Sequence, residues 1–315
     1  MHICALLRSS KQVILIQYIQ HQDLDFKKWD ACIVADSNAD VYLRSSWLNV
    51  VCPNWSAIVA DDYAAVFPIF GNKKLAWSFS DFPNFVQKIA VYGDARFEEE
   101  IAVELNRLND TFDYLCYTTD ERLIKDVSLN IKHRRHQLLE LKEGVRFPTK
   151  VWGRNIRKAE ASQLTTLTSV PIPIFIAALK KELLEKGKPY KNKDYKLLEV
   201  LAQKSIQEGY GFIDGIKDGT GTFTCGQFYI YAKGKMYLVA CFSNEVARQH
   251  SLLHYVLFKI VEKAYVNDSL LRVHFGGSNL PVIADFNKNF GAQDEEFVLV
   301  LKYNLPFWFR FFKRV

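Results

Sequence analysis

Several groups of side chains in this sequence have the chemistry to act on a carbonyl or an anion. Lys288 follows Phe286 in a short segment predicted helical from Ile283 to Phe290. A lysine held beside a buried ring could stabilise a developing oxyanion or a donor carbonyl as a fixed cation. The same residue could equally be a solvated lysine next to two packed phenylalanines. Lys150, Arg154, Arg157 and Lys158 recur at spacings of three and four residues and form one helix face. That face could receive the phosphates of a tRNA or of a nucleotide-linked precursor, or simply be solvated. The cluster Lys132-His133-Arg134-Arg135-His136 has the same standing. Lys186, Lys188, Lys191, Lys193 and Lys196 ring a helix–helix loop, with too few interleaved aromatics for an RNA surface. Gly276 and Gly277 fall where a strand turns to loop, so they either let a substrate approach the backbone or make the turn. Ser278 and Asn279 follow, placed to donate hydrogen bonds there or to cap the next segment. The segment Leu305 to Arg314 interleaves aromatic rings with cations, which suits a membrane interface or rings packed on a sheet.

Other chemistries find little support. The six cysteines stand at 4, 32, 52, 116, 225 and 241, and no two have the spacing of a metal knuckle or a redox pair. Scattered cysteines among apolar neighbours read as small core residues, which fits a reducing compartment and a cytoplasmic location. The seven histidines form no ligand array, so no metal site is expected. No run of about 18 uncharged apolar residues exists, so no spanning helix is expected. Val13 to Ile19 is apolar but short and interrupted by Gln17, and reads as a strand or a loose leader, not a signal peptide. A formal net charge of +6 permits an acidic partner without requiring one.

These groups need a scaffold, and the patterning supplies one. At 49% hydrophobic and 24% charged, the 315 residues can bury a core in each of two domains. Phe26, Trp29 and Ile33 fall at helical spacing in Asp25 to Ala35, and a second helix from Ser45 to Val51 stops before Pro53. Short strand-like runs follow: Ser56 to Ala60, Ala64 to Ile69, Leu75 to Phe79 and Lys88 to Tyr92. A helix from Phe97 to Leu108 precedes strands at Asp113 to Tyr117 and His136 to Leu141. Gly144 to Pro148 reads as a boundary. Beyond it, helices are predicted at Thr149 to Ala161, Pro173 to Lys186 and Asp194 to Glu208. Strands are predicted at Tyr210 to Ile216, Thr222 to Tyr231 and Lys235 to Phe242, the last two joined through Ala232-Lys233-Gly234. One amphipathic helix from Ala247 to Tyr265 precedes a strand at Leu271 to Phe275, the short helix already named and a final strand at Phe297 to Lys302.

Three segments of this second half resemble the FemAB-like branch of the GNAT acyltransferases. Trp152-Gly153-Arg154-Asn155-Ile156-Arg157-Lys158-Ala159 looks like the segment opening their second domain. His274-Phe275-Gly276-Gly277-Ser278-Asn279 is similar to their polar strand end followed by a glycine-containing turn. Ala284-Asp285-Phe286-Asn287-Lys288-Asn289-Phe290-Gly291-Ala292 resembles their Phe-x-Lys-x-Phe-Gly segment. Lys28 to Ile33 and Ser45 to Leu48 also look like the N-terminal domain of this group.

The resemblance implies an α/β (α+β) chain of two tandem GNAT-like domains, each a mixed, largely antiparallel sheet flanked by helices. The expected division is a leader at 1–21, a first domain at 22–146, a second at 147–304 and an aromatic, basic tail at 305–315. It implies an acyl- or aminoacyltransferase with an amine acceptor, a small molecule or a peptide. No tightly bound cofactor is expected, and acyl-CoA or aminoacyl-tRNA would serve as co-substrate. Lys288 and Asn287 become the catalytic candidates, although Asn287 stands where relatives commonly carry a first lysine. The donor's phosphates would lie at the turn from Ser243 to Ser251, with Ser243, Arg248 and Ser251 as ligands. That turn has no glycine to admit close backbone approach. Arg154, Arg157, Lys158, Ser278 and Asn279 are the substrate-binding candidates. DNA is not an expected partner. Peripheral contact with the inner face of a membrane through 305–315 is. A protein that keeps the fold to dock an acidic ligand or a membrane, without catalysis, is the alternative reading.

Overall fold

The computed structural model describes residues 8–9, 12–74, 77–126, 128–141, 150–268, 270–277 and 281–306. The boundary segment at Gly144–Pro148, Ser278 and Asn279, and the tail beyond Pro306 lie outside these residues. Contacts divide the chain into two compact units, Met1–Arg134 with Glu296–Val315, and Arg135–Glu295.

In the first unit β1 (Arg8–Ser9) and β2 (Gln12–Val13) form a small antiparallel pair. β3 (Ile16–Ile19) leads to α1 (Phe26–Ala35), whose first turn is capped by Asp25: its carboxylate accepts from the N–H groups of Lys27 and Lys28 at 3.0 and 3.1 Å. Trp29, Cys32 and Ile33 are its buried face. After α2 (Ser45–Val51) come β4 (Ser56–Ala60) and β5 (Ala65–Ile69), buried at every position, then β6 (Gly71–Lys74), β7 (Trp77–Asp81) and β8 (Tyr92–Gly93). α3 (Glu98–Thr111) begins with three glutamates, which suit the positive end of its dipole, and leads to β9 (Tyr114–Thr119). One sheet is antiparallel in the order β3-β4-β5-β8. In the other, β7 pairs antiparallel with β6 and parallel with β9.

β10 (Asn130–Glu140) carries the chain into the second unit. There follow α4 (Lys150–Ala161), β11 (Leu167–Ser169), α5 (Ile172–Glu185), α6 (Asn192–Gln207), β12 (Gly211–Lys217), β13 (Phe223–Ala232) and β14 (Lys235–Ser243). α7 (Glu245–Gln249), α8 (Leu252–Asp268), β15 (Arg272–Gly277), α9 (Pro281–Asn289) and β16 (Gln293–Tyr303) complete the order. The strand order of this unit is β11-β12-β13-β14-β15-β10, and within it only β14 and β15 run parallel. Trp152, Ile156 and Ala159 of α4 and Val256, Leu257, Ile260 and Val261 of α8 pack on Tyr229, Met236 and Val273. Phe228, one step along β13, points to the other face, where its ring and that of Phe242 meet Phe175 of α5 at 6.4 and 5.6 Å. Each unit is thus sheet flanked by helix, as expected.

Two expectations are corrected. The helix foreseen from Ala247 to Tyr265 is two helices, because Ser251 adopts a left-handed backbone (φ 57°) between them. The chain also crosses between units twice, inside β10 and inside β16, rather than once near residue 146. Pairing is the cause: Val298 to Tyr303 of β16 hydrogen-bond antiparallel to β9.

Candidate active site

β14 and β15 form a fork. They pair for three residues, Lys235 with Arg272, Met236 with Val273 and Tyr237 with His274. Beyond that point β14 stays with β13 as far as Ser243, while β15 stays with β10 as far as Gly277. An extra residue sits on each arm: Val239 on β14, between the partners of Phe228 and Tyr229, and Phe275 on β15, between the partners of Gln137 and Leu138. Such bulges bend a strand and re-aim its side chains. Gly276 follows at φ 81°, a backbone conformation a side chain would strain.

At the crotch of the fork lies a buried pair of histidines. His136 of β10 and His274 of β15 are 3% and 5% exposed, and Nε2 of His136 lies 2.9 Å from Nδ1 of His274. One ring must donate and the other accept. Tyr237 stacks on His274, with centroids 4.5 Å apart and planes at 20°. Where Nδ1 of His274 is the donor, its tautomer is fixed and Nε2 is left as an acceptor, the arrangement a general base uses. His254 has a different role. Its ring stacks on Phe290 at 5.1 Å, and burial lowers its pKa to about 4, so it is a neutral core residue at pH 7.

Alternation along β10 puts Arg135 and Gln137 on the side opposite His136, and there they meet α9 and the start of β16. Asn287, 3% exposed, donates from Nδ2 to Oε1 of the fully buried Gln137 at 2.9 Å. Gln137 in turn donates from Nε2 to Asp294 at 2.7 Å. Lys288 and Arg135 each reach Asp294 at 3.3 Å. Lys288 and Asn287 are therefore brought together, but in different capacities. Asn287 pins α9 to β10, whereas Lys288 is a half-exposed cation in a cluster of two cations and one carboxylate. The hydrogen bond from Gln137, then Lys288 and Arg135, hold the Asp294 carboxyl below the usual carboxylate range. A lowered pKa means the stabilisation is present above the usual range and is lost as pH falls through the lowered value. Following the carboxyl carbon resonance of Asp294 should show this low titration, and Gln137→Leu should move it upward. Titration of the native group at or above the usual range would refute the assignment.

The turn expected to hold donor phosphates is occupied from within. Glu182 of α5, 8% exposed, accepts from the Ser243 N–H at 2.7 Å and pairs with Lys186 at 2.5 Å. Nη1 of Arg248 lies 3.8 Å from the same carboxylate and donates to the Ser243 carbonyl. Asn244 donates its N–H to the Thr224 carbonyl, and its side chain accepts from Ala247 N–H at 3.0 Å. Ser251 is not part of this group and forms the joint between α7 and α8. Arg154, Arg157 and Lys158 are all exposed on α4, as the helical spacing predicts, with their buried counterparts Trp152, Ile156 and Ala159 facing the core. Among the described residues no group of three His, Cys, Asp or Glu side chains could hold a metal ion. His136, His274, Gln137 and Glu182 are the residues that spacing did not single out. His136 stood only as the end of a basic cluster and His274 only within a strand-end segment, and nothing local marked Gln137 or Glu182.

No family model matches the sequence, and no curated protein matches it. The solved structures decide the fold. FemX superposes with a TM-score of 0.64 at 12% identity, over 87% of this chain and 96% of FemX. The fold is that of FemX. L-PGS from Bacillus licheniformis superposes on this FemX-like chain with a TM-score of 0.59 at 11% identity, covering 91% of it and 94% of L-PGS. A tandem GNAT protein from the clavulanic acid biosynthesis pathway gives 0.52 at 13% identity, over 93% and 99% of the two chains. The FemX-like, tandem GNAT architecture implied by the three sequence segments is thus present across most of the chain.

Proposed function

We propose that this chain transfers an acyl or aminoacyl group to an amine, with the reaction centred on the fork between β14 and β15. The observation that carries the reading is the buried His136–His274 pair where the strands part, set in a fold shared with transferases. The acceptor amine attacks the donor carbonyl and a C–N bond forms. His274 takes the amine proton at Nε2, an atom that is buried here and that the acceptor meets only by entering between the strands, while its Nδ1–H is shared with His136. The tetrahedral oxyanion then collapses, the bond to the leaving group breaks, and the proton returns through His274 to the departing oxygen or sulfur. The half-exposed cations Lys288 and Arg135 are available for an anionic part of either substrate.

The donor in this reading is an aminoacyl ester, as carried by tRNA, rather than a CoA thioester. A pyrophosphate at Ser243–Ser251 would meet the Glu182 carboxylate, find the Ser243 N–H already taken, and lack a glycine to approach. A ligand present at about 100 times its Kd stabilises a fold by roughly 2.7 kcal/mol. Desulfo-CoA at millimolar concentration should therefore leave the melting temperature unchanged, whereas charged tRNA should bind in a salt-dependent way and pass its amino acid to peptide amines. A saturable shift with desulfo-CoA would overturn the donor assignment. Transfer from neither donor would favour a non-catalytic binding protein.

A further inference from the structure

Among the described residues of the second unit, the turn between α5 and α6 is rich in exposed lysines, and the proposed reaction makes no use of it. Residues 180–196 contain seven lysines (180, 181, 186, 188, 191, 193 and 196) against Glu182, Glu185 and Asp194. Every residue from Leu184 to Lys193 is exposed. Of the three carboxylates, Glu182 pairs with Lys186 and accepts from Ser243, Asp194 is half-buried in the first turn of α6, and Glu185 is exposed near the tip. Among the described residues, Lys188, Lys191 and Lys193 have no carboxylate within ion-pairing distance.

The tip also presents apolar surface and holds it in place. Leu184 is 65% exposed and Tyr190 is 39% exposed. Gly187, at φ 67°, closes α5, with Gly187 N–H donating to Leu184 O and Lys188 N–H to Leu183 O. Tyr190 packs on Tyr195, with ring centroids 5.4 Å apart, and its N–H donates to the Tyr195 hydroxyl at 3.1 Å. The result is a fixed projection with an aliphatic residue and a tyrosine among uncompensated lysines.

We propose that this projection docks on an anionic lipid bilayer, with the lysines at the lipid phosphates and Leu184 and Tyr190 at headgroup depth. Charge complementarity selects an anionic surface, and the apolar residues select a bilayer over RNA. An RNA surface would offer rings for bases to stack on, whereas here the Tyr190 ring is committed to Tyr195 and Leu184 has no π face.

The test is co-sedimentation of the full chain with vesicles of phosphatidylcholine alone, or containing roughly a third phosphatidylglycerol. The native protein should bind only the anionic vesicles and should come off at high salt. Each lysine lost should weaken partitioning about fivefold, so K188E/K191E/K193E should bind more than about a hundredfold less. K188Q/K191Q/K193Q should fall between the two, and L184S should lose about tenfold with little change in salt dependence. An unchanged melting temperature for each variant confirms folding, and the side chains altered are all exposed. Native-like vesicle binding by the charge-reversed variant overturns the proposal, as does equal binding to neutral vesicles. Loss of tRNA binding in that variant, with the native protein ignoring both vesicles, would transfer the surface to RNA.

Discussion

His274→Asn should lower turnover of the proposed transfer by about a hundredfold to ten-thousandfold, the usual contribution of a positioned general base. The loss should fall on kcat, because His274 lies at the parting of the strands and not at a surface that would bind a donor. His136→Asn should act through His274, weakening its basicity, and should show a smaller loss with a shifted pH–rate profile. At 274 an asparagine amide overlays Nδ1 and can keep the hydrogen bond across the 2.9 Å gap. At 136 the contact is made by Nε2 and asparagine falls short of it, so a melting temperature for each variant checks that the fold survives. Single-turnover transfer measured across pH separates the outcomes. Equal rates for the native and His274→Asn proteins would remove the histidine pair from the mechanism. Equal pH profiles for native and His136→Asn would leave His274 acting alone.

Trp152→Ala should cost about 3–5 kcal/mol, the range for truncating a large ring in a packed core. Trp152 is 1% exposed, and its ring meets Phe290 edge-on at 4.6 Å and Phe258 at 6.1 Å. Phe290 directly follows α9, so the indole links the helix carrying Arg154, Arg157 and Lys158 to the one carrying Asn287 and Lys288. Chemical denaturation should show the lower midpoint. Trp152→Phe, which keeps a ring, should recover most of the difference. A cost below about 1 kcal/mol for the alanine variant would mean the site collapses around the gap and does not depend on the indole.

The parts of the fold carried by local chemistry were legible in the sequence. The run Phe26, Trp29, Ile33 behind the capping Asp25 is a helix because burial and capping act within a few residues. The Lys233-Gly234 turn closes a hairpin with both residues at positive φ, 52° and 71°, a conformation Gly234 takes without a steric penalty. The short helix carrying Asn287 and Lys288 was legible as a helix, but their partners Gln137 and Asp294 were not. What stayed hidden depends on pairing between distant strands. His136 and His274 are 138 residues apart, and nothing near either reports the register that joins them. Glu182 looks like any acid on a solvated helix until β14 brings Ser243 beneath it. Ser251 breaks a helix that periodicity alone would continue, because hydrophobic spacing is blind to one left-handed residue.

The return of β16 to β9 has a consequence for how the protein is made. During synthesis β9 leaves the ribosome with one partner, β7, and its other edge must wait for Val298 to Tyr303. At about 5–20 residues per second the intervening chain takes roughly ten to forty seconds to follow. Through that interval the first unit holds an unfilled strand position next to a buried core, the kind of edge that recruits strands from other chains. The second unit, by contrast, has the run β11-β12-β13-β14-β15-β10 complete by Gly277 and lacks only α9 and the first residues of β16. The domain that begins first is therefore the one that finishes last, and a cut near residue 146 would yield an N-terminal fragment that never closes.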